Sequence, residues 1–315
     1  MKNYNIIQKS LHKLILGNTF IQKSLYDLEK IIFSKKINDI KYNHHVFITS
    51  LPRSGTTILL NYIFSSKQFS SLTYRQMPFI MSPNLFSKIS LFSSNKKKER
   101  AHSDGILYNL DSPEAFDEIF FSIFNNEETS IEIYNFISLI LYLNNKKRYL
   151  SKNNSNYKRI QLLQHLLPNS FFLIPVRDPA QQAYSLFSQH KNFLKLQEND
   201  IFILKYMNYL GHFEFGKNHK PWFTPDKFYD PTNPNYWLEQ WFKFYEKIYE
   251  DYKNNPRCLL IKYEKLIDSN YLEHLQRKLS INNLGIEFFS NKKKYFDINF
   301  NQELLKRSNN LYEKL

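Results

Sequence analysis

The run His45, Val46, Phe47, Ile48, Thr49, Ser50 is β-branched and apolar, breaks at Pro52 and Gly55, and gives way at residues 58–64 to an apolar pattern of helical spacing. Strand, tight loop and helix in immediate succession leave few folds open. A second unit of the same kind begins with Phe171–Val176 and passes through Arg177, Asp178 and Pro179. Asp178 suits a helix cap there and Pro179 the first helical position, with the helix continuing to Gln189 or beyond. Between the two units the pattern predicts a helical stretch over 131–143, a short strand at 148–151 and a helix over 157–166. Later, an aromatic-rich helix over 236–252 precedes a further core strand, Cys258–Lys262. Strands alternating with helices predict an α/β fold, a parallel sheet flanked by helices on both faces.

The chain of 315 residues is expected to form a single domain over 1–315, with a core at about 45–266. Amphipathic helices are expected within 1–40 and a helical tail within 267–315. Residues 87–100, rich in Ser and Lys, and 208–235, which hold most of the loop-forming Pro, Gly and Asn of the second half, read as long excursions over the active face. The apolar stretch 131–143 is interrupted by Glu132, Asn135 and Ser138 and is too short for a bilayer core of about 30 Å. Residues 1–36 lack the continuous apolar core of a signal peptide. A single cysteine, Cys258, excludes an intramolecular disulfide framework and a cysteine zinc cluster, and suggests a reducing, cytoplasmic setting.

Within residues 50–57, Ser-Leu-Pro-Arg-Ser-Gly-Thr-Thr, the loop sits where an α/β sheet delivers anions, between a strand's carboxyl end and a helix's amino end. Only 6 glycines occur in the chain, so Gly55 answers a local demand for backbone freedom. Thr56 and Thr57 add hydroxyls, and Arg53 adds a forked cation. The nucleoside-triphosphate loop G-x-x-x-x-G-K-[ST] has Gly where this chain has Ser50 and Lys where it has Thr56. The cation therefore sits in the middle of a P-loop-like turn, which argues against a nucleotide-dependent kinase. The net charge of +14 favours an anionic partner. It also admits a non-catalytic nucleic-acid-binding protein, but no nucleic-acid-binding module is recognisable.

At residues 51–57 the chain resembles the 5′-phosphosulfate loop of sulfotransferases that use 3′-phosphoadenosine 5′-phosphosulfate (PAPS). Arg177 and, eight positions later, Ser185 resemble that family's pair for the 3′-phosphate. Residues 150–154, Leu-Ser-Lys-Asn-Asn, resemble the stretch of tyrosylprotein-type enzymes in which a lysine, here Lys152, contacts the transferring group. Residues 263–266, Tyr-Glu-Lys-Leu, resemble a fold-organising element of the family. The resemblance covers about residues 46–266. It implies the sulfotransferase fold and an enzyme that moves a sulfuryl group from PAPS to a hydroxyl-bearing acceptor, with no metal, no nucleic acid and no transmembrane segment. No H-E-x-x-H, cysteine cluster or EF-hand loop occurs in the sequence. Arg53, Ser54, Gly55, Thr56, Thr57, Arg177 and Ser185 are then expected to hold the donor, and Arg53 and Lys152 to carry the transfer. The tyrosylprotein-type general base falls near Gln76, which cannot take a proton. The expected replacement is His102, whose imidazole titrates near about 6.5, with Glu99 and Asp104 as alternatives. Gly211, His212, Phe213, Glu214, Phe215, Gly216 and His219 are read as lining an acceptor pocket or folding on their own aromatics. The basic excursions point to an anionic or glycan acceptor.

Overall fold

The computed structural model describes residues 5–37, 43–88, 97–99, 107–124, 129–282, 284, 289 and 297–315. Its frame is a five-stranded, all-parallel sheet formed by β1 (Val46–Ile48), β2 (Phe69–Ser70), β5 (Arg148–Lys152), β6 (Phe171–Val176) and β7 (Cys258–Lys262), in the order β2-β5-β1-β6-β7. Two further short strands, β3 (Lys98–Glu99) and β4 (Leu107–Tyr108), pair antiparallel. β1 lies between β5 and β6 because it is buried on both faces, with Val46 and Ile48 on one side and Phe47 on the other. Phe47 stacks on Phe172 at 5.2 Å, while Val46 and Ile48 join Leu150, Leu173 and Ile261 in the second core layer.

Eleven helices among the described residues pack around this sheet: α1 (Ile6–Leu16), α2 (Thr19–Phe33), α3 (Thr56–Ser65), α4 (Glu118–Ile123), α5 (Thr129–Leu143), α6 (Ile160–Leu166), α7 (Pro179–Asn199), α8 (Ile201–Tyr209), α9 (Pro234–Tyr252), α10 (Ser269–Leu279) and α11 (Gln302–Lys314). Asp178 caps α7 by accepting from the Gln181 amide at 2.9 Å, and Pro179 occupies its first turn. α9 supplies the aromatic mass on one face of the sheet, with Trp237, Trp241 and Tyr245 fully buried. α3 and α10 cover the opposite face.

β1 ends at Ile48 because the next two side chains leave the ladder for hydrogen bonds. Thr49 Oγ1 donates to the Asn154 carbonyl at 3.2 Å, and Ser50 Oγ to the Pro175 carbonyl at 2.6 Å. Pro175 is tolerated within β6 because β1 pairs no further than Leu173. The ends of β1 and β5 are level, with Ile48 opposite Lys152. That register places residue 152 beside the loop that follows β1. Residues 208–235 form the expected excursion, with no helix between Tyr209 and Pro234, whereas most of residues 87–100 lie outside the described residues.

Candidate functional site

The loop after β1 is held from behind. Ser54 Oγ donates to the Leu51 carbonyl at 2.8 Å, Gln182 Nε2 to the Pro52 carbonyl at 3.0 Å, and Ser50 Oγ meets the Tyr245 hydroxyl at 2.8 Å. These inward contacts engage the loop's carbonyls and set its curvature. Arg53 takes a positive φ of 69°, a conformation that costs free energy for a side-chain-bearing residue and that the surrounding bonds sustain. Gly55 caps α3 at φ 97°, and a Cβ there would lie 2.4 Å from Cδ2 of Tyr263. Only glycine satisfies both the backbone and the ring. With no side chain at the N-cap, the first-turn amides of α3 receive no cap from residue 55, and the positive end of the helix dipole faces the loop.

Sequence elements far apart in the chain meet here. Arg53 Nε donates to Ser185 Oγ at 3.0 Å, so the loop and the first half of α7 are in direct contact. The Arg177 guanidinium lies 5.6 Å from the centre of the Tyr263 ring, the ring that covers Gly55. Lys152 is 8% exposed, and its Nζ lies 3.4 Å from Oε1 of Glu114. The Tyr74 hydroxyl donates to the other oxygen of Glu114 at 3.1 Å. Ser54 is turned under the loop. Thr56 and Thr57, together with Arg53, Lys152 and Glu114, line one cavity of about 110 Å³.

The remaining walls of that cavity are largely apolar or aromatic. Tyr74, Tyr108 and Phe116 form one side, and Phe193, Tyr206, Met207, Leu210 and Phe215 another. His212 and Glu214 reach it from the 208–235 excursion. His212 Nε2 lies 3.2 Å from the Ala115 carbonyl, which can only accept, so Nε2 carries a proton. Glu214 Oε1 accepts from Asn154 Nδ2 at 3.2 Å. His219 does not line the cavity; it packs among His190, Trp222, Tyr236 and Trp237. Of the segment 211–216, part lines the pocket and Gly216 supports the aromatic layer behind it, donating to His190 Nδ1 at 3.3 Å.

The expected base His102 and the alternative Asp104 lie outside the described residues. Glu99 is described only through its backbone, which pairs with Leu107. Gln76 closes a capping box with Thr73, its Oε1 accepting from the Thr73 amide at 2.8 Å. The carboxylate that the described residues bring to Lys152 is Glu114, which the sequence reading passed over. Its signal was the acidic run Asp111, Ser112, Pro113, Glu114, Ala115, Phe116, Asp117, Glu118 in a chain of net charge +14. The isolated bridge between Thr73 and Pro113, together with the Glu114 amide donating to the Leu72 carbonyl at 3.1 Å, carries Glu114 to the site. Nearby Asp117 is structural. It accepts from the Ser151 and Tyr149 hydroxyls beneath the sheet, and burial pushes its carboxyl up to about 6.

Residues 45–206, slightly more than half of the chain, match the family model described as the Sulfotransferase family. No curated protein matches the sequence. Solved structures that it resembles include sulfotransferase STF1 from Mycobacterium tuberculosis, at 10% identity over 88% of this chain and 78% of that one, with a TM-score of 0.50. Sulfotransferase STF9 from Mycobacterium avium gives 11% identity, 98% and 78% coverage, and a TM-score of 0.48. At these identities the likeness to STF1 is one of fold.

Proposed function

The chain belongs to the sulfotransferase family, and on that footing we propose that it moves the sulfuryl group of PAPS to an acceptor hydroxyl held in the cavity beside residues 51–57. The observation that carries this reading is the convergence of Arg53, Lys152, Thr56, Thr57 and Glu114 on one cavity at the carboxyl ends of β1 and β5. The loop amides, Arg53 and the two threonine hydroxyls suit the 5′-phosphosulfate. Arg177 and Ser185 take the 3′-phosphate, with Ser185 also steering Arg53. The resemblance of residues 150–154 to tyrosylprotein-type enzymes supports the role given to Lys152.

In the transfer, the acceptor oxygen attacks sulfur as the bond from sulfur to the 5′-phosphate oxygen breaks, leaving 3′-phosphoadenosine 5′-phosphate (PAP). Arg53 and Lys152 neutralise the charge that builds on that phosphate and on the sulfuryl oxygens. The acceptor proton passes to Glu114. Lys152 is the ionic partner of Glu114 at 3.4 Å. An arriving phosphosulfate competes for the ammonium and frees the carboxylate to act as base. Within this scheme Glu114 is the base that the described geometry favours, in place of His102.

The aromatic and aliphatic walls favour an acceptor with a flat or apolar body, a phenol or an aliphatic alcohol, over the glycan suggested by the basic segments. Radiolabelled sulfuryl transfer from PAPS to a panel of phenols, long-chain alcohols and saccharides tests this, with Arg53→Ala as control. Transfer to phenols or alcohols that is lost in the variant supports the reading. Transfer to saccharides alone would overturn the acceptor class, and magnesium-dependent ATP turnover without sulfuryl transfer would overturn the reaction.

A further inference from the structure

Helix α2 is packed with its polarity reversed. Its buried side chains are Gln22, Tyr26 and Glu29, at helical spacing along one line. Gln22 Nε2 donates to the Leu16 carbonyl at 2.6 Å, and the Tyr26 hydroxyl to the Glu132 carboxylate at 2.7 Å. Glu29 accepts from the amides of Asn84 and Leu85 at 2.7 and 2.9 Å. Four apolar side chains face outward: Phe20 is 79% exposed, Ile31 70%, and Leu28 and Ile32 48% each, while Ile21, Leu25 and Phe33 are half-buried. Phe20 and Ile31 are eleven residues apart, about three turns, so they lie on one line. On the adjoining helix α1, Ile6, Ile7 and Leu14 are exposed as well. Of the thirteen exposed large apolar side chains among the described residues, seven are on these two helices, a concentration beyond the ordinary scatter.

The exposed charge around the patch is predominantly positive. Lys13, Lys23, Lys35 and Lys36 are exposed, whereas Glu29 is buried and Asp27 lies 3.8 Å from Lys30. Protruding aliphatic and aromatic side chains ringed by lysines match the headgroup boundary of a bilayer that carries anionic lipid. A second copy of the chain fits poorly, because a two-fold contact through this face would bring the same four lysines together. We infer that the α1–α2 hairpin docks this protein on the surface of anionic membranes. The helices lie in the interface without crossing it, and none among the described residues is long and apolar enough to span. The hairpin is tied to the cavity through α8. Lys9 Nζ pairs with Asp200 at 3.2 Å, and the His12 ring packs 5.7 Å from that of Tyr206, a cavity wall.

The test is cosedimentation of the full chain with phosphatidylcholine vesicles and with vesicles containing about 30% phosphatidylglycerol. Partition should be about tenfold stronger on the anionic vesicles and should weaken as salt is raised from about 0.05 to 0.5 M. Phe20→Ser with Ile31→Ser, and separately Lys23→Glu with Lys35→Glu, should each lower partition about tenfold while leaving thermal unfolding unchanged, because all four side chains are exposed. Equal partition of wild type and both double variants would overturn the inference, as would failure to bind anionic vesicles at low salt. Light scattering supplies the rival outcome. A dimer abolished by Phe20→Ser with Ile31→Ser, without vesicle binding, would assign the face to a second copy.

Discussion

Gly55→Ala perturbs both the loop backbone and the ring that covers it. An alanine at φ 97° is strained by about 1–2 kcal/mol relative to glycine. The new Cβ would meet Tyr263 Cδ2 at 2.4 Å and Cε2 at 2.7 Å, well inside contact distance, so the ring or the loop must move. Overpacking of this size costs a further ~1–3 kcal/mol, for a total of roughly 2–5 kcal/mol in urea unfolding. Because the Arg177 guanidinium rests near the same ring, displacement of Tyr263 should also weaken PAP binding. A double-mutant cycle with Tyr263→Ala separates the two contributions. Removing the ring relieves the collision but not the φ strain, so the cycle should show coupling of about 1–3 kcal/mol between residues 55 and 263. Additivity within ~0.5 kcal/mol would refute the steric half, and an unchanged unfolding midpoint in Gly55→Ala would refute both.

Other consequences can be measured separately. Glu114→Gln should slow sulfuryl transfer by about 100-fold or more, as expected for a lost general base, while PAP affinity by calorimetry is retained or improved because Lys152 loses its competing carboxylate. Unchanged turnover would return the role of base to His102. Ser185→Ala removes the acceptor of the Arg53 Nε bond and should weaken PAP about tenfold with little change in stability. Equal affinity would detach Ser185 from the site. Burial pushes His12 and His190 down to about 4, so the folded state binds fewer protons there than the unfolded chain between about pH 4 and 6.5. Each histidine then adds up to ~1.4 kcal/mol of stability per pH unit as pH rises. Asp117, pushed up to about 6, and Glu29, also raised by burial, act in the opposite direction at acid pH, whereas His219, lowered by burial, acts with His12 and His190. The melting temperature should therefore climb from pH 4.5 to 6.5, and more steeply in Asp117→Asn. A flat or falling profile contradicts these assignments.

The strands that read most clearly from sequence are those whose burial leaves no alternation to interpret. β6 is buried at all six positions; β7, expected with the bounds it has, is only half-buried at three of its five and was legible from its apolar run instead. β1 read too long because Thr49 and Ser50 look like strand residues but direct their hydroxyls to the Asn154 and Pro175 carbonyls. β5 read one residue short because Lys152 looks like a surface residue until its register opposite Ile48 is known. The loop of the candidate site was legible because its residues are local: Gly55 and Arg53 lie within a few residues of the strand that presents them. Glu114 was not, because its approach to Lys152 depends on a bridge between Thr73 and Pro113 that no local pattern announces. α2 teaches a related lesson. Its amphipathic period was visible, but period alone does not say which face turns inward, and in α2 it is the polar one.

The phosphosulfate role proposed for residues 51–57 is tested most directly by calorimetric titration of PAP into the wild-type chain and into Arg53→Ala, with ATP plus magnesium as the competing ligand. The expected result is one PAP site per chain, weakened about 100-fold or more in the variant, and no comparable site for ATP. Equal binding of PAP to both proteins, or tight ATP binding without PAP binding, would contradict it.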